Sequence, residues 1–158
     1  MIKVIAIGNI KETATKQLLN EYHKRFNKTY LPDVLELPEY KRKKNASESE
    51  ILLAINDESN RILTKIKDDD YVILCDVAGE LLSSTQLSDL IIQHFNYLSK
   101  PLLFIIGGPD GVSEHVKKRA NTRLSFSKMT FPHQLLRLML FEQLYRCYTI
   151  GNNIPYHR

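Results

Sequence analysis

Apolar positions along this chain recur with two alternating periods. Met1 to Ile7 (MIKVIAI) is a short β-branched run closed by Gly8-Asn9 and predicts a strand. From about Lys11 to Phe26, Leu18, Leu19, Tyr22 and Phe26 return at helical spacing and predict an amphipathic helix. Thr29 to Leu37 reverts to strand character, with Pro32 pointing to an edge or irregular strand. EYKRKKNASESE then lacks large aliphatic residues and reads as an exposed loop. It ends in a capping box, in which the Ser47 hydroxyl accepts from the Glu50 N–H and the Glu50 side chain reaches back. The helix that follows carries Ile51, Ile55, Ile62 and Ile66 along one face.

Tyr71 to Val77 (YVILCDV) is a mostly apolar strand, as expected where both faces are covered. Ser83 or Ser84 caps a helix bearing Leu87, Leu90, Ile91 and Phe95. Leu102 to Ile106 is a second buried strand and runs into Gly107-Gly108-Pro109-Asp110-Gly111. Ser113 caps a short helix with Lys117, Lys118 and Arg119, and Arg123 to Ser127 forms a short strand. Pro132 opens a helix through about Tyr148, broken by Gly151-Asn152-Asn153 ahead of the tail IPYHR. Five strands alternating with five helices predict an α/β fold with a mainly parallel sheet and flanking helices. The last helix is unusual: between Leu135 and Tyr148 only Arg137, Glu142, Gln143 and Arg146 interrupt the apolar residues. Two readings are open, burial on all sides within the domain or packing of a second face on a partner subunit. The second is preferred, because few later elements remain to cover the helix, and it predicts a homodimer.

Length and composition narrow the class. The 158 residues fit a single domain over 1–158, and 43% hydrophobic with 25% charged residues excludes disorder and fibrous repeats. The longest clean apolar run, Leu102–Ile106, is far below the ~20 residues that cross a bilayer, and the N-terminus lacks a signal-peptide pattern. Cys75 and Cys147 lie far apart in apolar surroundings, which suits buried thiols in a reducing cytoplasm. No zinc-type ligand spacing is present, so no metal is expected. The formal charge of +4 is a mild excess, compatible with a nucleic-acid partner without requiring one.

Candidate chemistry follows from topology. In open parallel sheets ligands bind beyond the carboxyl ends of the strands, here the loops after Val77, after Ile106 and after Ser127. GGPDG lets a backbone approach a ligand but is neither a P-loop nor a complete dinucleotide fingerprint, and as a bare motif it reads first as a tight turn. Ser125, Ser127 and Thr130 near a helix N-terminus suit a polar ligand, with simple helix capping the plainer reading. His23, His94 and His115 fall among polar neighbours and are expected at the solvated surface. His133 opens the last helix and His157 sits in the tail. G-x-S-x-G is absent, and no Ser-His-Asp or Cys-His arrangement is apparent, so a reaction needing no protein nucleophile is favoured over hydrolysis. The runs Lys41-Arg42-Lys43-Lys44 and Lys117-Lys118-Arg119 with Arg123 could contact phosphates, or equally be solvated faces.

Three coupled motifs carry a resemblance. FIIGGPDGV, LSFSKMTFPHQLLRLMLFEQLYRCYTI and the terminal PYHR, with KVIAIGNIKE and DVAGELLSS also in place, resemble the RlmH family of SPOUT methyltransferases from the opening strand to the last residue. The resemblance implies a homodimeric SPOUT fold with a C-terminal trefoil knot, an exception to the rule of unknotted chains. It implies methylation of ring nitrogen N3 of pseudouridine 1915 in helix 69 of bacterial 23S rRNA, on the assembled ribosome, with S-adenosylmethionine as donor and no membrane or DNA partner. The cofactor site would fall at Cys75, Gly107 and Gly108, and along Phe126, Ser127, Lys128, Met129, Thr130 and Phe131. Cys75 departs from the leucine common in relatives but still packs as a small apolar residue. His133 would orient the cofactor loop, and Arg137 could line the site or serve structure alone. In the tail, His157 would assist N3 deprotonation, Tyr156 would stack on or hydrogen-bond the base, and Arg158 would contact phosphate. The alternative is a non-catalytic ribosome- or RNA-binding protein that keeps the fold.

Overall fold

A computed structural model describes residues 1–95 and 100–157. Strands β1 (Ile2–Ile7), β2 (Asp33–Leu37), β3 (Tyr71–Leu81), β4 (Leu102–Ile106) and β5 (Thr122–Ser125) form one sheet in the order β2-β1-β4-β3-β5, parallel throughout. Helices α1 (Thr13–Arg25), α2 (Glu48–Leu63), α3 (Ser84–Gln93), α4 (Glu114–Arg119) and α5 (His133–Gly151) cover it.

The period of two along each strand divides the core between the two faces. Val4, Ala6, Ile73, Phe104 and Ile106 point toward α1, α3 and α5, where Leu19, Leu87, Ile91, Leu140 and Leu144 meet them. Ile5, Ile7, Val72, Leu74, Leu103 and Ile105 point the other way, toward Ile62 of α2 and Val116 of α4. This explains why the central strands read as unbroken apolar runs. The expected capping box holds at α2, with the Ser47 hydroxyl accepting from the Glu50 N–H, and Ser83 with Gln86 makes a second one at α3.

Several expectations are corrected. Leu18 is exposed, and Leu19 is the buried residue of α1. β2 lies at the sheet edge as Pro32 predicts, but it begins only at Asp33; β5 ends at Ser125, and Ile66 falls beyond the end of α2. Ser113 takes the N-cap position of α4, but its hydroxyl makes no cap bond; its N–H instead donates to Ser59 Oγ at 2.8 Å. Gly151 completes α5 rather than breaking it, and the chain turns at Asn153, which has φ of 54°. His94 is buried, its ring against Tyr71 with centroids 3.9 Å apart and Nδ1 2.9 Å from the Leu90 carbonyl. His23 is half-buried and stacks on Phe141. His115 is exposed, as expected.

The largest correction concerns β3. Its ladder with β5 does not stop at Val77: Cys75 pairs with Leu124, the chain bulges, and Glu80 pairs with the same Leu124 before Leu81 meets Ser125. A bulge of this kind re-aims the side chains of the extra residues. Asp76 and Val77 stand on it. Gly79 lies so close to β5 that a Cβ there would sit 2.5 Å from the Arg123 carbonyl oxygen.

Candidate active site

Beyond the carboxyl ends of β3, β4 and β5 opens a cleft of about 680 Å³, within the usual size range of small-molecule sites. Cys75 and Ile106, the last pair of the β3–β4 ladder, and Leu124 of β5 line it. One wall is the glycine turn. Gly111, at φ of 88°, donates its N–H to the Gly108 carbonyl at 3.0 Å and closes the turn in a backbone conformation that suits glycine. Gly107 and Gly108 are needed for another reason. A Cβ on Gly107 would meet Val112 Cγ1 at 2.7 Å, and one on Gly108 would meet Glu58 Oε2 at 2.3 Å. The turn is thus pressed against α2. There the buried Glu58 accepts the Tyr40 N–H at 2.8 Å, and Ser59 takes the Ser113 N–H.

The opposite wall is the segment between β5 and α5. Ser125 Oγ donates to the Ser127 carbonyl at 2.9 Å, and Ser127 Oγ accepts the Met129 N–H at 3.0 Å, folding the segment over itself. Phe126, Ser127, Met129, Thr130 and Phe131 line the cleft, while Lys128 is exposed and outside the lining. Cys75, Gly107 and Gly108 line it too, so the structure brings together all but one of the residues expected around the cofactor.

The cleft also contains residues that motif reading passed over. Asp76 accepts from Arg123 Nε and Nη2 at 3.0 and 2.7 Å and from the Ala78 N–H at 3.0 Å. Burial pulls its carboxyl upward, but these hydrogen bonds outweigh it and hold Asp76 below the usual carboxylate range. Lys117 lines the cleft with its amine 2.7 Å from Glu114, and His133 and Leu136 bring the first turn of α5 into the wall. Asp76 carried a sequence signal, as an acid ending an apolar strand. The role of Gly79 depends on contact with a strand more than 40 residues away, so no local pattern could reveal it.

Electrostatics limit the chemistry. Burial, with Asp76 adding to it, pushes the Cys75 thiol up to about 12, so it stays protonated and apolar in character rather than nucleophilic. Burial also lowers His133, with Arg137 and Lys11 reinforcing the shift against Glu39, which favours the neutral imidazole. Arg137 is buried, donates to the Gly8 carbonyl at 2.7 Å and pairs with Glu36. It therefore ties α5 to the end of β1 and does not line the cleft.

The tail lies elsewhere. Glu142 accepts from Tyr22 at 2.6 Å, from Tyr156 at 2.8 Å and from Arg146 Nε at 3.0 Å. Tyr156 packs edge-on against Tyr145 beneath the Arg146 guanidinium, and His157 Nδ1 lies 3.3 Å from Arg146. Burial and the Glu142 bond raise Tyr156, keeping it a phenol. Glu142 follows His133 by nine residues, roughly 13 Å along a helix. Neither Tyr156 nor His157 lines the cleft, and Arg158 falls outside the described residues.

A parallel α/β sheet whose cleft is framed by a glycine turn and the loop entering the last helix defines a small-molecule-binding domain of the open-sheet type. The family described as "Predicted SPOUT methyltransferase" matches residues 1–157. Ribosomal RNA large subunit methyltransferase H of Clostridium botulinum (strain Eklund 17B / Type B) is 45% identical over 157 residues, covering 99% of each chain. The proteins of that name from Bacillus cytotoxicus and Bacillus anthracis are 44% and 43% identical over the same share. The chain belongs to the SPOUT methyltransferase family, and within it to the RlmH group.

Proposed function

We propose that this protein is an S-adenosylmethionine-dependent methyltransferase of large-subunit ribosomal RNA, acting in the cytoplasm as a homodimer of single, C-terminally knotted domains. Its target on this reading is N3 of pseudouridine 1915 in helix 69 of 23S rRNA on the assembled ribosome. The observation that carries the proposal is the convergence of Cys75, Gly107, Gly108 and the 126–131 segment on one cleft.

The residues present fit the donor. Ile106, Leu124, Phe126 and Leu136 offer apolar surface for an adenine ring, and the glycine turn and the folded 126–131 segment bring backbone polar groups close to a ribose. Lys117 is the only lysine or arginine among the described lining residues, which suits a phosphate-free ligand better than a nucleoside triphosphate. When bound, S-adenosylmethionine supplies a methyl group already activated on a sulfonium. The protein's part is alignment, which can be worth about 7–11 kcal/mol, together with removal of the N3 proton. Cys75 stays a thiol and forms part of the adenine wall, while Asp76 keeps the β3 bulge and its cleft side chains in place.

Each tail is held by Glu142 on the distal half of α5, away from its own cleft. This favours the arrangement in which Tyr156, His157 and Arg158 serve the cleft of the partner subunit, with His157 accepting the proton, Tyr156 contacting the base and Arg158 a phosphate. The test is transfer of labelled methyl to ribosomes lacking the modification, with the modified nucleotide mapped. Label at N3 of that pseudouridine is expected, and the His157→Ala variant should slow single-turnover transfer. Unchanged single-turnover rates in that variant would remove His157 from the chemistry. Absence of both transfer and cofactor binding in the wild type would favour a non-catalytic RNA-binding protein.

A further inference from the structure

The run Lys41-Arg42-Lys43-Lys44 belongs to the connection between β2 and α2 and therefore sits at the carboxyl end of the sheet. Two contacts fasten this connection to the glycine turn. The Tyr40 N–H donates to Glu58, the carboxylate on which Gly108 rests, and Arg42 forms an ion pair with Asp110 at 2.5 Å. Asp110 lines the cleft. The four cations are thus not equivalent. Arg42 is engaged within the protein, whereas Lys41, Lys43 and Lys44 are exposed, and no carboxylate among the described residues pairs with them.

We infer that Arg42 is a clamp which sets Lys41, Lys43 and Lys44 beside the cleft mouth as a docking rim for the phosphate backbone of the RNA substrate. The inference rests on the proposed function and identifies how that substrate is held. A phosphate backbone is recognised by cations of matching spacing without base readout, and its binding is strongly salt-dependent. Fixing the rim to the glycine turn couples RNA position to the wall that faces the cofactor.

The test compares wild type with a Lys41→Ala/Lys43→Ala/Lys44→Ala variant and with a charge-matched control, Lys65→Ala/Lys67→Ala/Lys100→Ala. Lys65, Lys67 and Lys100 are exposed residues preceding β3 and β4, at the amino end of the sheet. Large ribosomal subunits lacking the modification are titrated across a potassium chloride series, and methyl transfer and S-adenosylmethionine binding are measured in parallel. The rim variant is expected to lose substrate affinity tenfold or more. Its log K against log salt slope should flatten by about 2–3, since each phosphate contact contributes roughly 0.7–0.9. Cofactor affinity and the rate at saturating ribosomes should be unchanged, and the control should match wild type. An Arg42→Ala variant should lose ribosome affinity although all three lysines remain. Wild-type affinity and salt slope in the rim variant, or equal losses in rim and control variants, would overturn the docking rim while leaving the proposed function standing. If wild type transfers no methyl to ribosomal RNA, the proposed function fails, and the rim inference falls with it.

Discussion

Gly79 offers the sharpest test of how the cleft is built. Alanine there would place Cβ 2.5 Å from the Arg123 carbonyl oxygen, 2.6 Å from the Arg123 carbonyl carbon and 2.9 Å from that of Leu124. All three atoms belong to the backbone of β5, so no side-chain rotation can relieve the clash. Van der Waals contact lies near about 3.5 Å, and β3 and β5 must therefore part by roughly 1 Å. Overpacking in a tight interior costs about 1–3 kcal/mol, and a backbone wall puts Gly79→Ala at the upper end. At about 2–4 °C per kcal/mol for a chain of this size, thermal unfolding should fall by roughly 6–12 °C. Because β5 leads into Phe126 and Ser127, S-adenosylmethionine affinity measured by calorimetry should drop about tenfold, equivalent to about 1.4 kcal/mol. Gly111→Ala is the contrast: it meets no atom within 4 Å but carries the strain of φ at 88°, worth about 1–2 kcal/mol. A Gly79→Ala protein that melts within about 2 °C of wild type would refute the reasoning, since it would mean that the bulge can slide freely against β5.

Gly107→Ala should weaken cofactor binding through its contact with Val112 Cγ1, and adding Val112→Ala should restore much of the loss; isothermal titration of the two variants decides this. Burial raises the Glu58 carboxyl, with Glu39 and Asp110 adding to the shift and the Tyr40 N–H offsetting part of it. Folding then bears the penalty of a buried charge above the folded value and none below the ordinary value of 4.5. Glu58→Gln should therefore raise the melting temperature near neutral pH and leave it unchanged below about pH 4, as read by scanning calorimetry. Tyr156→Phe removes one of the donors on Glu142 and should slow single-turnover transfer while moving the melting point by only a few degrees, since a single partly exposed hydrogen bond contributes about 1 kcal/mol. Leu135→Glu places a charge on the open side of α5, and analytical ultracentrifugation should show it shifting the proposed dimer toward monomer without loss of fold.

The sheet was legible because its central strands are buried on both faces, and nothing but apolar runs such as YVILC and LLFII satisfies that position. The cleft was legible to the extent that topology decides it: glycine and serine segments following parallel strands necessarily fall at one end of the sheet. What escaped depended on partners remote in sequence. Asp76-Val77-Ala78-Gly79 looks like the end of a strand and becomes a bulge only because β5 runs beside it. His94 looks solvated among polar neighbours until Tyr71 covers its ring. Glu58 falls seven residues after Ile51 and four before Ile62, squarely on the inward stripe of α2. Its charge argued against burial, and what makes the position tolerable is the Tyr40 N–H.

Helix α5 shows the same effect most clearly. Its few polar side chains look like interruptions in an apolar helix, yet each is engaged within the chain. Arg137 holds the Gly8 carbonyl, Gln143 accepts from Ser84 Oγ at 2.6 Å, and Glu142 with Arg146 gathers Tyr22, Tyr156 and His157. With those groups committed, Leu135 in the first turn of α5 remains exposed, and the partly buried Met139 follows it one turn further along the same side. The polar residues thus fix α5 against its own domain and leave Leu135 open near its start. This supports the preference for a partner subunit, and a partner on that face would lie beside the first turn of α5, where His133 and Leu136 border the cleft. On the proposed function, dimerisation and completion of the site from a second chain's tail would then both depend on this one helix.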